Sequence, residues 1–204
     1  MKKVALASAL LLTIGSAHAT DSIRWNSLAL SYQATDLGGE LSPTSSNTNL
    51  NGVSVKATTM LDQNAFLTGE FTTNSDDEDN DSGAEKSLDY NTLSAGIGYR
   101  IPLTGQADLY STASVMHYDI DSLNGAVEND RSDTGYGLNA GVKGILAPNV
   151  EVGVQFNFVD IGDYSDRGHE LSAMYHFSNQ LSAGATYESS DNIEQIGLSG
   201  IFFF

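Results

Sequence analysis

Residues 51–73 read NGVSVKATTMLDQNAFLTGEFTT, and the fold turns on how this stretch is read. Folded about Gln63, it sets Val53, Val55, Ala57, Thr59 and Leu61 opposite Thr73, Phe71, Gly69, Leu67 and Ala65. The alternate residues form a second face, on which Lys56 meets Glu70. Side chains of a strand alternate between faces, so a slip of one residue would exchange the two sets and strand both charges among apolar neighbours. The stretch predicts a β-hairpin with one apolar face and one face that is polar and charge-paired.

The same test works elsewhere along the chain. Folding 136–158 about Ala147 opposes Tyr136, Leu138, Ala140 and Val142 to Phe158, Phe156, Val154 and Val152, with Lys143 facing Glu151 and Asn139 facing Gln155 on the other side. Folding 170–188 about Asn179 opposes Leu171, Ala173, Tyr175 and Phe177 to Tyr187, Ala185, Ala183 and Leu181. In 88–101 the residues Leu93, Ala95, Ile97, Tyr99 and Ile101 share one parity. The following segment puts Leu109, Ala113 and Val115 on that face and leaves Asp108 within reach of Arg100 on the other.

Ten segments alternate in this way: about 23–34, 50–61, 65–73, 88–101, 107–119, 133–145, 149–160, 167–177, 181–188 and 192–204. Tight connections (LDQNA, IPLTGQ, LAPN, FSNQL) take turns with longer polar ones at 35–49, 74–87 and 120–132, and with shorter ones at 161–166 and 189–191. An even strand count puts both ends of the chain and every tight connection on one side. In the first segment Leu28, Leu30 and Tyr32 alternate well, but Ile23 and Trp25 fall on the opposite parity, which implies a bulge or a start near residue 27.

Residues 1–19, MKKVALASALLLTIGSAHA, combine Lys2 and Lys3 with an apolar run and a small-x-small site at Ala17-His18-Ala19. This is the pattern of a cleaved secretory signal, leaving 20–204 as a single domain. The apolar run is too short to span a bilayer, and nothing beyond it approaches the ~20 apolar residues of a spanning helix. A backbone can otherwise cross lipid only as a closed β-barrel, in which no strand edge is left unpaired. The expected fold is therefore all-β, an antiparallel up-and-down transmembrane barrel of ten strands, with eight as the alternative if the last two hairpins are misread. The chain has no Cys, so closure rather than disulfides must stabilise it.

In the last segment Ile196, Leu198, Gly200, Phe202 and Phe204 share the lipid-facing parity, and the chain ends GLSGIFFF. Here the sequence resembles the bacterial outer-membrane β-barrel proteins, whose closing strand ends on an aromatic residue, usually Phe, after alternating apolar positions. The resemblance implies export to the outer membrane, contact with its lipid and lipopolysaccharide, and a role for Phe202 and Phe204 as the signal read by the barrel-insertion machinery. Phe204, Phe202, Tyr99 and Phe177 would then line the periplasmic interface as part of an aromatic girdle.

Barrels of about eight strands are filled by their own side chains, and open channels belong to those of roughly 16 or more. Ten strands lie near the filled end. The inward parity carries bulky Phe66, Tyr110, Met116, Tyr118, Met174 and His176, while glycines at 135, 137 and 141 leave room for neighbouring aromatics. Buried charges are tolerable when paired, which makes Lys56–Glu70, Arg100–Asp108 and Lys143–Glu151 closing contacts of the lumen. The last two are expected to form a plug near the periplasmic mouth. A wide porin is unlike this pattern; a small non-enzymatic envelope barrel of structural or interaction type fits it, and a narrow cation-preferring channel is the second reading.

The chain holds 9 basic and 26 acidic residues, a net charge of −17; without Lys2 and Lys3 the balance is −19. The acids concentrate in predicted outer connections: SDDEDND at 75–81, then Asp119, Asp121, Glu128, Asp130, Asp133, Asp160, Asp163 and Asp166. Such a rim repels nucleic acid and gathers cations. Asp77, Asp79 and Asp81 are spaced like the start of an EF-hand loop, but its glycine falls one place late at Gly83 and Leu88 replaces the bidentate Glu. They are weak divalent-cation candidates, with bridging to lipopolysaccharide phosphate as the expected use. No cofactor motif is present.

Ten strands also describe the omptin surface proteases, which place Asp and His pairs at the outer rim. The candidates here are His117 with Asp119, and His169 with Glu170 or Asp163. His169 and Glu170 alternate in parity, and no Gly-x-Ser-x-Gly or His-Glu-x-x-His occurs. A rim hydrolase is the least favoured of the three readings, and the chain is expected not to be an enzyme.

Overall fold

The computed structural model describes residues 22–37, 48–78, 86–124, 127–162 and 164–204. Ten strands follow in chain order: β1 (Ser27–Leu37), β2 (Thr48–Met60), β3 (Ala65–Glu78), β4 (Lys86–Thr104), β5 (Ala107–Asn124), β6 (Val127–Ala147), β7 (Val150–Ile161), β8 (Tyr164–His176), β9 (Leu181–Ser190) and β10 (Ile193–Phe203). Each pairs antiparallel with its chain neighbours, and β1 pairs with β10 to close the barrel. Ten strands, not eight, make up the wall. No helix among the described residues is long and apolar enough to cross a membrane. The secretory leader expected at 1–19 lies outside the described residues.

The four tight turns share one end with both ends of the barrel domain, and each is fixed by local chemistry. Asp62 Oδ1 accepts from the backbone N–H of Asn64 and of Ala65, both at 2.7 Å. Thr104 Oγ1 accepts from Gln106 N at 3.1 Å. Ser178 Oγ accepts from Gln180 N at 3.2 Å and Leu181 N at 3.1 Å. In the remaining turn Asn149 takes a φ of 66°, a left-handed conformation that Asn tolerates better than most residues.

Faces follow the parity of the sequence. Outward positions expose large apolar groups along most strands, including Leu30, Val115, Leu198 and Phe156, the last 67% exposed. A continuous apolar exterior of this kind is unsuited to water and suited to hydrocarbon. Inward positions carry the polar and charged residues. β2 and β3 pair as the quoted hairpin requires, Val53 with Thr73, Val55 with Phe71 and Lys56 with Glu70.

The β6–β7 register differs from the expected one by two residues. Tyr136 pairs with Asp160 rather than Phe158, Asn139 with Asn157 rather than Gln155, and Lys143 with Gly153 rather than Glu151. The chain turns at Pro148-Asn149, and a bulge between Ile145 and Ala147 absorbs the difference. A shift of two preserves parity, so every side chain keeps its face.

The upper connections are shorter than expected because the strands run through them. β4, β5 and β6 reach 19, 18 and 21 residues and stand above the rest of the barrel as a wall. The stretch expected as a loop at 120–132 is strand at all of its described residues, 120–124 and 127–132. Asp119, Asp121, Asp130 and Asp133 therefore sit on strands, and Asp89, Asp121 and Asp130 align in one cross-strand row. Asp160 and Asp166 are also on strands, in β7 and β8, and Glu128 in β6.

Candidate functional site: the closed lumen

The segment before β1 occupies the lumen at the turn end. Residues 23–26 are not strand, and Ile23 and Trp25 are buried with Phe66, against which Met60, Tyr110 and Ile145 pack. The broken parity of Ile23 and Trp25 thus marks a segment that leaves the wall and fills the mouth. The Trp25 ring lies 4.6 Å from that of Phe66 and meets Tyr110 edge-on at 5.4 Å. Gly98 makes room: a Cβ there would fall 2.1 Å from Phe66 Cζ.

Charged groups hold this plug. Trp25 Nε1 donates to Asp108 Oδ2 at 2.7 Å, and Arg100 Nη1 reaches the same oxygen at 2.9 Å. Arg100 Nε also donates to Gln63 O, tying the β2–β3 turn to the end of β4. Lys143 Nζ donates to Arg24 O at 3.1 Å, sits 3.8 Å from the Trp25 ring centroid, and lies 3.6 Å from Glu151 Oε1. Both Asp108 and Glu151 are buried. The predicted partners Arg100–Asp108 and Lys143–Glu151 are brought together diagonally across their strands rather than directly opposite. What the sequence did not offer was the indole between them, because a contact spanning 83 residues has no local signature.

The plug is also anchored to the seam. The Arg24 guanidinium donates to Ser178 O, Asn179 O and Asn179 Oδ1 in the β8–β9 turn and lies 5.4 Å from the Phe203 ring centroid. Asn26 Oδ1 accepts from Met60 N, and Asn26 O accepts from Phe204 N. His176, wholly buried, stands 5.7 Å from the Phe203 ring; its Nδ1 is 2.6 Å from Ser182 Oγ and its Nε2 3.5 Å from Glu151 Oε2.

Above the plug the lumen is polar. Lys56 Nζ lies 3.1 Å from Glu70 Oε2. Tyr110 OH donates to Gln155 Oε1, Gln155 Nε2 to Asn157 Oδ1, and Asn157 Nδ2 to Glu188 Oε1. Glu170 and Glu188 face each other directly across β8 and β9. Three carboxylates therefore share this section with one ammonium. Towards the far end Leu50 and Leu88 are buried, with Tyr90, Ile120 and Ile193 against them, so apolar layers bound the polar section at both ends.

The histidine candidates lie on the outer face. His117 Nε2 is 3.5 Å from Asp119 Oδ1, and its Nδ1 is 2.9 Å from Thr134 Oγ1, on the outer face of the wall. His169 is exposed on the outward face while Glu170 faces Gln155 within the lumen, so that pair does not form. Asp163, Asp79 and Asp81 lie outside the described residues, and Asp77 pairs in register with Ser87 near the end of β3. No group of three or more His, Cys, Asp or Glu able to hold a metal occurs among the described residues. Phe202 and Phe204 point outward, Phe204 66% exposed, while Phe203 is buried inside.

A closed ten-stranded barrel with an apolar exterior and an ion-paired interior defines a membrane-spanning β-barrel protein. Residues 7–177 match the outer membrane protein beta-barrel domain, and the chain belongs to that family, which places it in the outer membrane. Its structure is similar to the translocator domain of the autotransporter NalP from Neisseria meningitidis, at a TM-score of 0.52 and 9% identity over 90% of this chain and 89% of that one. It is also similar to Ail, the attachment invasion locus protein of Yersinia pestis, at 0.47 and 14%, covering 89% and 99%. An outer membrane channel from Pseudomonas putida F1 aligns at 0.49 and 10%, covering 93% and 99%. At 9% identity the likeness to the NalP translocator domain speaks for the barrel fold alone. No curated protein is significantly similar in sequence.

Proposed function

We propose that this protein is a non-enzymatic envelope barrel whose lumen is closed at rest and whose acidic wall of long strands is displayed at the cell surface. The observation that carries this reading is Trp25 seated in the mouth between Phe66, Tyr110, Asp108 and Lys143. A plug fixed by aromatic packing and by two ion pairs supports a lumen without a continuous aqueous path at that level. Refolded protein in a planar bilayer is expected to be silent at ±100 mV, about the scale of a membrane potential. A steady current from the wild-type chain would overturn the closed-lumen reading.

His117 belongs to the wall and not to a catalytic site on this reading. Its neighbours Asp119 and Thr134 form a carboxylate–imidazole–hydroxyl line, yet the surrounding backbone pairs continuously along β4–β5–β6. Amides engaged in ladders are not free to stabilise an oxyanion, the largest contribution to acyl transfer. Peptide or phospholipid turnover lost in His117→Ala would establish the opposite.

A narrow cation-preferring channel is the second reading, favoured by Glu70, Glu170 and Glu188 outnumbering Lys56 in the middle of the lumen. On that reading the current passes when the plug is displaced, and it carries cations.

A further inference from the structure

Four basic residues of this acidic chain are spent inside. Lys56, Arg100 and Lys143 each have a carboxylate within 4 Å, and Arg24 donates to Ser178 O, Asn179 O and Asn179 Oδ1. Arg167 differs. It is exposed on the outward face of β8, and among the described residues no carboxylate pairs with it. Its chain neighbour Asp166 is buried and turned the other way, accepting from Ser190 Oγ at 2.7 Å and Asp191 N at 3.0 Å. The Arg167 guanidinium lies 5.7 Å from the centroid of the Phe158 ring.

The position of this arginine is as telling as its lack of a partner. Descending β8 on the outward face, Arg167 and His169 are followed by Leu171, Ala173 and Tyr175, so the surface changes from basic to apolar in one step. On one side β9 changes at the same level, with Ser189 opposite His169 and Tyr187 opposite Leu171; on the other β7 stays apolar one position longer, with Phe156 opposite His169 and Phe158 opposite Arg167, and turns polar at Asp160 opposite Ser165. A step of this kind from polar to apolar side chains is what the edge of the hydrocarbon asks of a barrel wall, and lipid phosphates lie at that edge. A guanidinium is a planar fork of donors matched to phosphate, and an aromatic face behind it leaves those donors directed outward.

We propose that Arg167 and His169 bind the phosphate of a lipid in the outer leaflet, whose acyl chains lie against Phe156 and Leu171. The acidic wall repels polyanions that arrive from solution, whereas a lipid approaches sideways in the plane of the membrane. The site is independent of whether the lumen conducts.

The test uses the full folded chain in detergent, with lipid A bearing two phosphates, the same lipid without phosphate, and inorganic phosphate as the probes. Native mass spectrometry is expected to show retention of the phosphorylated lipid, with affinity about tenfold lower in Arg167→Gln, as for loss of one charge-assisted contact. Arg167→Lys, which keeps the charge without the fork, is expected to fall between. Arg131→Gln, altered high on the wall, is expected to bind as wild type. Heat-modifiable migration on gels verifies that each variant is folded. Equal affinity in wild type and Arg167→Gln, equal retention of the lipid lacking phosphate, or full competition by millimolar inorganic phosphate would each overturn the proposal.

Discussion

Trp25 and Arg100 share one acceptor: the indole Nε1 and the guanidinium Nη1 reach the same Oδ2 of Asp108, at 2.7 and 2.9 Å. The plug and the wall are thereby joined at a single buried carboxylate. Removing Asp108 strips the partner from a charge and from an indole at once. Breaking a buried pair in this way costs about 3–5 kcal/mol, chiefly from the charge left behind. Asp108→Ala is expected to lower unfolding free energy in detergent by that amount. Asp108→Asn, which retains an acceptor, is expected to cost clearly less, and equal losses would mean that the carboxylate charge is not what matters.

Trp25→Ala tests the plug as a barrier. Deleting a buried tryptophan leaves a cavity and costs about 3–5 kcal/mol in a packed core. In this mouth the space opens onto water and onto the polar section above. Planar-bilayer recordings are expected to change from silence to small cation-selective events. If the variant folds and remains silent, the seal lies elsewhere, with Leu50 and Leu88 the next layer to test.

Gly98→Ala would set a methyl group 2.1 Å from Phe66 Cζ. Overpacking of this kind costs about 1–3 kcal/mol. Because the clash is with one ring, Phe66→Leu in the same chain is expected to recover part of the loss, giving a coupling of at least about 0.5 kcal/mol in a double-mutant cycle. Strictly additive effects would place the strain in the backbone instead.

Much of this architecture was legible because period-2 alternation is local. Lys56 and Glu70 could be paired on paper since the turn at 61–64 adds no bulge, and β2–β3 keeps the simple register. Parity cannot detect a shift by two, so the left-handed Asn149 and the bulge after Ile145 went unseen while every face was still assigned correctly. The wall was misread as loops for a different reason. Above the lipid, outward positions such as Asp89, Asp121 and Asp130 are as polar as inward ones, and the alternation that identifies a strand disappears. Arg167 carried no signal of its own, because its place beside Phe158 at the step from polar to apolar side chains is visible only once β7, β8 and β9 are aligned.

The turn at Asp62 gives the pH dependence a definite sign. Two backbone N–H donors, from Ala65 and Asn64, hold this carboxyl below its ordinary value of 3.8. A group whose pKa is depressed by folding contributes stability that is present above its unfolded pKa and lost as pH falls through the folded one. Amides of Asn64 and Ala65 are therefore expected to stay protected at pH 5 and to exchange faster, relative to intrinsic rates, below about pH 3.8. Asp62→Ala is expected to show the faster exchange already at neutral pH. Unchanged protection in that variant would remove the carboxylate from the account.

Phe203 and Phe204 are adjacent and are predicted to fail in different ways. Phe203 is buried beside His176 and Arg24, so Phe203→Ala is expected to cost about 3–5 kcal/mol of folded stability in detergent. Phe204 projects outward and contributes its backbone N–H to Asn26 O, a bond that alanine retains. Phe204→Ala should therefore leave detergent stability within about 0.5 kcal/mol of wild type, as for other exposed positions. If Phe202 and Phe204 are the ends recognised during assembly, the same substitution slows appearance of the folded, heat-modifiable form in living cells. Normal assembly of Phe204→Ala and of Phe202→Ala with Phe204→Ala would show that the terminal aromatics serve the lipid boundary and not recognition.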